Sequence, residues 1–138
     1  MKTTKINKHL IILAFLIASF GFNNLQAQTF DVKDIDGTWE RNDGVRLSID
    51  GTAVFAEGSI ALIFAVGNSG WPESVIKYYS KFKNIKHKGN NTWTANNFAY
   101  SRSSKSFIAD GVATLIMSDD KSYFKCGGLV YTRKSLLH

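Results

Sequence analysis

The stretch VRLSIDG, residues 45–51, indicates most clearly how this chain folds. Apolar Val, Leu and Ile alternate with polar Arg and Ser, which is the two-residue period of a strand that is buried on one face. The Asp50-Gly51 pair that ends the stretch is a strong hairpin signal, because tight hairpin turns require a positive φ. The stretch therefore predicts one antiparallel strand and a turn into a second strand over residues 52–56.

Short apolar or alternating runs, broken by turn residues, continue on both sides of this stretch. Residues 59–66 are continuously apolar and fit either a buried strand or a short helix. The run over residues 75–88 alternates with a slip near Asn84, which a β-bulge would produce. Further strands are predicted over residues 39–41, 92–100, 111–118, 121–126 and 129–133, with residues 101–105 as a polar connection.

The spacing of these runs decides the fold class. No long segment combines the 3.6-residue period with helix caps, so a βαβ arrangement with parallel strands is disfavoured. Eight or nine short strands joined by hairpins favour an all-β antiparallel meander, and closing such a meander removes its exposed edges. We therefore predict a small eight- to nine-stranded antiparallel barrel, with a β-sandwich as the alternative.

The first 28 residues have the composition of a secretory signal peptide. Three lysines precede an apolar run over residues 10–22, and Ala27 offers a small residue for cleavage. The run is 13 residues long, whereas a helix that spans a bilayer needs about 20. We therefore predict an exported protein, periplasmic or extracellular, whose residues 29–138 form one domain that does not span the membrane after cleavage.

The charge and cysteine content exclude some classes of protein. The chain has 17 Lys and Arg against 11 Asp and Glu, and the signal segment holds three lysines and no acid, which leaves a net charge of +3. This balance argues against nucleic acid as a partner, since such proteins carry clustered basic residues. Cys126 is the only cysteine, so an internal disulfide is impossible and stability depends on packed apolar and aromatic side chains.

The sequence has no recognisable catalytic or metal-binding pattern. Its aspartates stand mostly in turns, where their side chains bond to the local backbone. His87 is the only histidine between the signal segment and the last residue, which argues against Ser–His–Asp or Cys–His catalysis. No group of residues has the spacing of metal ligands. We therefore predict a protein that is not an enzyme and that has no cofactor or metal.

Gly37, Thr38 and Trp39 open the first predicted strand, and Arg133 ends the last one. This placement resembles the lipocalin-like (calycin-type) barrels of small exported bacterial proteins, although the Thr-Asp-x-Tyr motif in the middle of lipocalins is missing. The resemblance implies that the Arg packs across the indole and closes one end of the barrel, a contact worth about 0.5–2 kcal/mol. It implies that Gly37 lets the backbone pass close to the end of the sheet.

The resemblance implies a binding function, and two hypotheses follow. An eight-stranded barrel either holds one small ligand or is filled by its own side chains. The first hypothesis is a small apolar or amphipathic ligand in the barrel. The alternative is a filled barrel that contacts a protein or a glycan, for example as an inhibitor, through its mouth loops or a basic strand. The candidate ligand or partner contacts are Phe55, Phe64, Trp71, Tyr78, Phe82 and Trp93.

Two features bear on the choice between these hypotheses. Trp71 stands beside Pro72 in a loop of Gly and Ser, and such loops at a barrel mouth commonly carry binding function. Its side chain is either a loop anchor or an exposed contact. The five lysines of residues 77–88 would suit an anionic polymer, but a solvated face that discourages strand aggregation is the simpler interpretation.

Overall fold

Short apolar runs separated by turn residues fold into eight antiparallel strands in the computed structural model, which describes residues 27–135. Each strand pairs with the next, and the last pairs with the first, so the sheet closes into a barrel. The predicted all-β meander barrel is confirmed. The strands are β1 (Gly37–Arg41), β2 (Val45–Ile49), β3 (Ser59–Val66), β4 (Ser80–Gly89), β5 (Thr92–Ser101), β6 (Ser106–Met117), β7 (Tyr123–Cys126) and β8 (Leu129–Lys134).

Helical structure is limited to two short 3₁₀ helices in residues 27–135. The leading 3₁₀ helix is Val32–Ile35, and the second is Glu73–Val75. No helix in this part of the chain is long and apolar enough to cross a membrane. The predicted signal peptide, residues 1–28, lies outside the described residues except for its last two positions.

The prediction of a strand over residues 52–56 is wrong. This segment forms turns, and β2 pairs with β3 instead. Thr52 donates hydrogen bonds from its amide and its hydroxyl to the carboxylate of Asp36, and the amide of Val54 donates to the carbonyl of Gly51 at 2.9 Å. These bonds occupy the amides of Thr52 and Val54, which a strand pairing would need. The turn signal was correct, but the partner strand begins later.

The structure decides between the two options for residues 59–66 and confirms the slip near Asn84. Residues 59–66, for which a helix was the other option, form strand β3. The slip expected near Asn84 is a break in the β4–β5 register between Lys83 and Lys86. Strand β4 begins only at Ser80, later than predicted, because the chain before it forms a long loop around the second 3₁₀ helix.

The interior of the barrel is occupied by the chain's own side chains. Inward positions of the strands carry aromatic and large aliphatic residues that are shielded from solvent. Burial of this apolar surface is the main contribution to the stability of such a fold. The largest fully buried side chains are Trp39, Trp93, Tyr131, Phe82, Phe124, Ile35, Leu47, Ile49, Ile63, Ile85, Leu115 and Met117.

The antiparallel order gathers the connections at two ends of the barrel. We call one the closed end; it holds the start of β1, the loop of residues 50–58 and the turn of residues 118–122. We call the other the mouth; it holds the turn of residues 42–44, the loop of residues 67–79 and the tip of residues 102–105.

Candidate functional site

Trp39 and Arg133 meet at the closed end. They occupy opposed positions of β1 and β8, and the guanidinium carbon lies 4.1 Å from the centroid of the indole. The buried indole donates from Nε1 to the carbonyl of Ile35 at 2.9 Å. Its ring also meets the ring of Phe124 edge to face, with centroids 4.8 Å apart. The two side chains therefore lie against each other, between the core and the leading 3₁₀ helix.

Arg133 also bonds to the chain segments that cross the closed end. Its guanidinium donates to the carbonyls of Asp34, Asp36 and Lys121 at 2.5, 2.8 and 2.9 Å. Gly37 has a φ of 139°, and a Cβ there would lie 2.7 Å from Nη1 of Arg133. A side chain at this position would collide with the guanidinium. These hydrogen bonds link three segments of the chain, so Arg133 has a structural role.

Aromatic side chains cover the mouth. The ring of Phe107 meets Trp71 edge to face, with centroids 4.9 Å apart, and lies 5.6 Å from both Tyr79 and Tyr100. The guanidinium carbon of Arg41 lies 4.8 Å from the centroid of the Trp71 ring. Trp71 is half-buried, so it anchors its loop on the barrel and still presents part of its surface to solvent.

A groove of about 560 Å³ lies beside Trp71 at the mouth. This volume is within the range of about 300–1,000 Å³ that is usual for small-molecule sites. Arg102 and Lys105 lie in the groove wall, are exposed, and form no ion pair within residues 27–135. The lining residues are Gly70, Trp71, Pro72, Ser74, Tyr100, Arg102 and Lys105.

Two of the six candidate contacts belong to the core. Phe82 is fully buried and meets Tyr131 edge to face at a centroid distance of 6.0 Å. Trp93 is also fully buried; its Nε1 donates to the carbonyl of Val32 at 3.1 Å, and the ring of His87 lies 4.5 Å from its centroid. Neither side chain has exposed surface with which to touch a ligand.

The other candidate contacts are dispersed. Phe55 lies in the loop of the closed end and is 55% exposed, whereas Tyr78 lies in the mouth loop and is 84% exposed. Phe64 is half-buried on β3. Of the six, Trp71 alone lines the groove. The structure therefore does not bring the candidate residues together into one site.

A polar cluster that the sequence does not predict lies inside the mouth half of the barrel. Arg41, Lys81 and Tyr131 are only 8%, 7% and 0% exposed. Arg41 and Tyr131 occupy opposed positions of β1 and β8. Arg41 forms an ion pair with Asp43 at 2.5 Å, and Nζ of Lys81 donates to the carbonyl of Phe98 at 2.6 Å.

Lys81 is inside because β4 is irregular at this position. The β3–β4 register shifts here, so that Ser80 and Phe82 pair with adjacent residues of β3. Lys81 is the extra residue of this bulge, and a bulge redirects the side chain that it carries. The other four lysines of residues 77–88 are exposed, whereas Lys81 does not fit the prediction of a solvated lysine face.

The electrostatic environment of the cluster is dominated by burial. Burial lowers the pKa of Lys81, the charge of Arg41 lowers it further, and Cys126 and Asp110 act in the opposite direction. Burial also raises the pKa of Tyr131 to about 12, against the effect of Arg41. Tyr131 is therefore a neutral phenol at physiological pH, with a proton to donate.

Comparison of the chain with family models, curated proteins and solved structures finds no match. The closed antiparallel barrel of eight strands is compatible with a lipocalin-like fold and with a binding module. Within residues 27–135, no group of three or more His, Cys, Asp or Glu side chains is placed to hold a metal ion.

Proposed function

We propose that this protein is an exported, non-enzymatic binding module whose ligand occupies the groove at the mouth. The position of Trp71 carries this proposal: the indole is half-buried and lies in a groove of about 560 Å³ beside two exposed cations. The barrel interior is a less suitable place for a ligand of that size, because large side chains that are fully buried occupy it. Of the two binding hypotheses, the contacts thus favour the filled barrel.

Trp71 is held in place before any ligand arrives. Arg41 lies over its ring and Phe107 meets it edge to face. Its amide donates to the hydroxyl of Ser69 at 3.1 Å, and that hydroxyl donates to the carbonyl of Val66 at 2.6 Å. A side chain that is already ordered loses little conformational entropy on binding. Trp71 therefore suits a flat ligand that packs against its exposed surface.

The cationic side chains of the groove favour a ligand with negative charge. Arg102 and Lys105 supply two cationic groups that have no acidic partner within residues 27–135. Such groups bind carboxylates through charge-assisted hydrogen bonds. Trp71, Pro72 and Tyr100 supply apolar surface beside them. An acidic saccharide, with apolar ring faces and carboxylates, matches both features, and we propose it as the ligand class.

We expect Trp71→Ala to weaken the binding of a uronic-acid oligosaccharide about thirtyfold. This is the effect of truncating a central aromatic contact worth about 2 kcal/mol. Replacement of both Arg102 and Lys105 by Met should weaken binding and reduce its dependence on salt, because the two cations no longer attract the carboxylates. Isothermal titration calorimetry on the exported form of the chain, at two salt concentrations, measures both effects.

Tyr78→Ala is the matched control. Tyr78 is a strongly exposed aromatic residue of the same loop that does not line the groove, so its replacement should leave the affinity unchanged. Equal affinities of wild type and Trp71→Ala would refute the groove as the site. Equally tight binding of a neutral oligosaccharide would refute the role of the two cations.

A further inference from the structure

We propose that Arg41, Lys81 and Tyr131 form a second site, inside the mouth half of the barrel, for the carboxylate group of a small organic acid. None of these residues lines the groove of the proposed function. The inference therefore goes beyond that function, and either proposal can fail while the other holds.

The hydroxyl of Tyr131 is the first observation that points to a ligand. It is fully buried, and although the guanidinium of Arg41 lies close to its oxygen, its proton has no acceptor within residues 27–135. Buried hydroxyls in folded proteins nearly always have a partner, and leaving one unsatisfied costs about 1–3 kcal/mol. A carboxylate oxygen is an acceptor for the Tyr131 proton.

The buried ammonium group of Lys81 is the second observation that points to a ligand. It donates to the carbonyl of Phe98, but within residues 27–135 it has no carboxylate close enough for an ion pair. A buried charge without a compensating charge is strongly unfavourable. Asp110 influences Lys81 electrostatically but is exposed and bonds to the amide of Asn97 at 3.0 Å. An anion would supply the missing compensation.

The charges of the cluster set the charge of the ligand. Arg41 already has a carboxylate partner in Asp43. Its charge still acts to lower the pKa of Lys81. The cation of Lys81 is thus the charge of this cluster that has no acidic partner within residues 27–135. A monovalent anion balances this charge, whereas a divalent one would leave a negative charge in a poorly solvated place.

The barrel wall is irregular where β6 meets β7, and the proposed ligand would enter there. Strand β7 pairs with β6 only at Leu115–Met117, whereas β6 begins at Ser106. The first half of β6 is therefore bonded on one side only, to β5. Cys126 and Asp110 belong to the two strands that border this interruption, and both act to raise the pKa of Lys81 against the effect of burial. Because the core is filled, the proposed ligand is a small acid.

The test uses acetate as the probe. Acetate replaces chloride at constant ionic strength, and amide ¹H–¹⁵N correlation spectra of the exported form follow the titration. We expect saturable shifts on β1, β4 and β8 near the mouth. Tyr131→Phe should weaken acetate binding about tenfold or more, because it removes one hydrogen bond to a charged group and keeps the ring. Lys81→Met should weaken it further.

Lys83→Met is the matched control, because Lys83 is an exposed lysine of the same strand; it should bind acetate like wild type. If Lys81→Met does not fold, the comparison of Tyr131→Phe with wild type decides alone. Shifts that do not saturate by about 0.1 M acetate, a hundredfold above a millimolar Kd, would overturn the site. So would equal affinities of wild type and Tyr131→Phe, or tighter binding of divalent phosphate.

Discussion

Replacement of Trp39 by alanine is expected to lower the free energy of unfolding by about 3–5 kcal/mol. The indole is fully buried, and it contacts the guanidinium of Arg133 and the ring of Phe124. Truncation removes these contacts, leaves a cavity at the closed end and deprives the carbonyl of Ile35 of its donor. A domain of this size has a total stability of about 5–15 kcal/mol, so the change is a large share of it.

Urea unfolding of the wild type and of the Trp39→Ala variant measures this effect. Trp71→Ala serves as the control, since it is the same substitution at a half-buried position of the mouth. Trp71→Ala should lower the free energy of unfolding clearly less than Trp39→Ala, because a smaller buried apolar area is lost. Equal unfolding free energies for wild type and Trp39→Ala would contradict the proposed closure of the barrel by this residue.

Replacement of Arg133 by methionine is expected to lower the free energy of unfolding by about 3 kcal/mol. Methionine keeps most of the apolar stem but removes the guanidinium, which donates to three carbonyls and lies over the Trp39 ring. Hydrogen bonds from charged donors contribute about 1.5–3 kcal/mol each, and the cation–π contact about 0.5–2 kcal/mol. These contributions are not additive, because water partly replaces the lost donors at this half-buried position.

Arg46→Met provides the comparison for the arginine. Arg46 is exposed on the neighbouring strand β2 and pairs with Glu40 at 2.6 Å. An exposed ion pair of this kind contributes about 0–1 kcal/mol. The same urea experiment therefore separates the two sites. If Arg133→Met and Arg46→Met lost the same stability, the guanidinium at the closed end would have no special role.

Much of the fold could be predicted because the interior of a barrel imposes a two-residue period on its strands. The alternation at residues 45–49 predicted strand β2, whereas the apolar run at residues 59–66 fitted a strand or a helix and forms β3. Turn chemistry was less informative: the Asp50-Gly51 signal marked a real turn, but Thr52 continues that turn through its bonds to Asp36. A side-chain partner in a distant segment leaves no trace in local sequence.

The candidate site was harder to predict, because residue type does not tell which aromatic side chains fill a barrel and which remain accessible. Phe82 and Phe55 have the same side chain, yet one is fully buried and the other is exposed. The lysine pattern of residues 77–88 does not separate Lys81 from its exposed neighbours, since a single bulge reverses the face on which a residue lies. Arg102 and Lys105 stand in a polar connection, where no periodicity indicates what a side chain meets.

Trp39 and Arg133 form the clearest case of a long-range contact anticipated by resemblance. They are far apart in sequence, and their contact depends on the pairing of β1 with β8. No local pattern predicts such a pairing. The placement of Gly-x-Trp on the first strand and of Arg on the last one suggested it.

The three indole N–H groups provide a direct test of where a ligand binds. Trp39 and Trp93 donate theirs to the carbonyls of Ile35 and Val32 beside the core, whereas Trp71 lies in the groove. One ¹H–¹⁵N correlation spectrum, recorded during titration with a uronic-acid oligosaccharide, reports on all three. We expect a saturable shift of the Trp71 indole with the other two unchanged. A shift of the Trp93 indole while that of Trp71 stays in place would contradict a filled barrel that binds at its mouth.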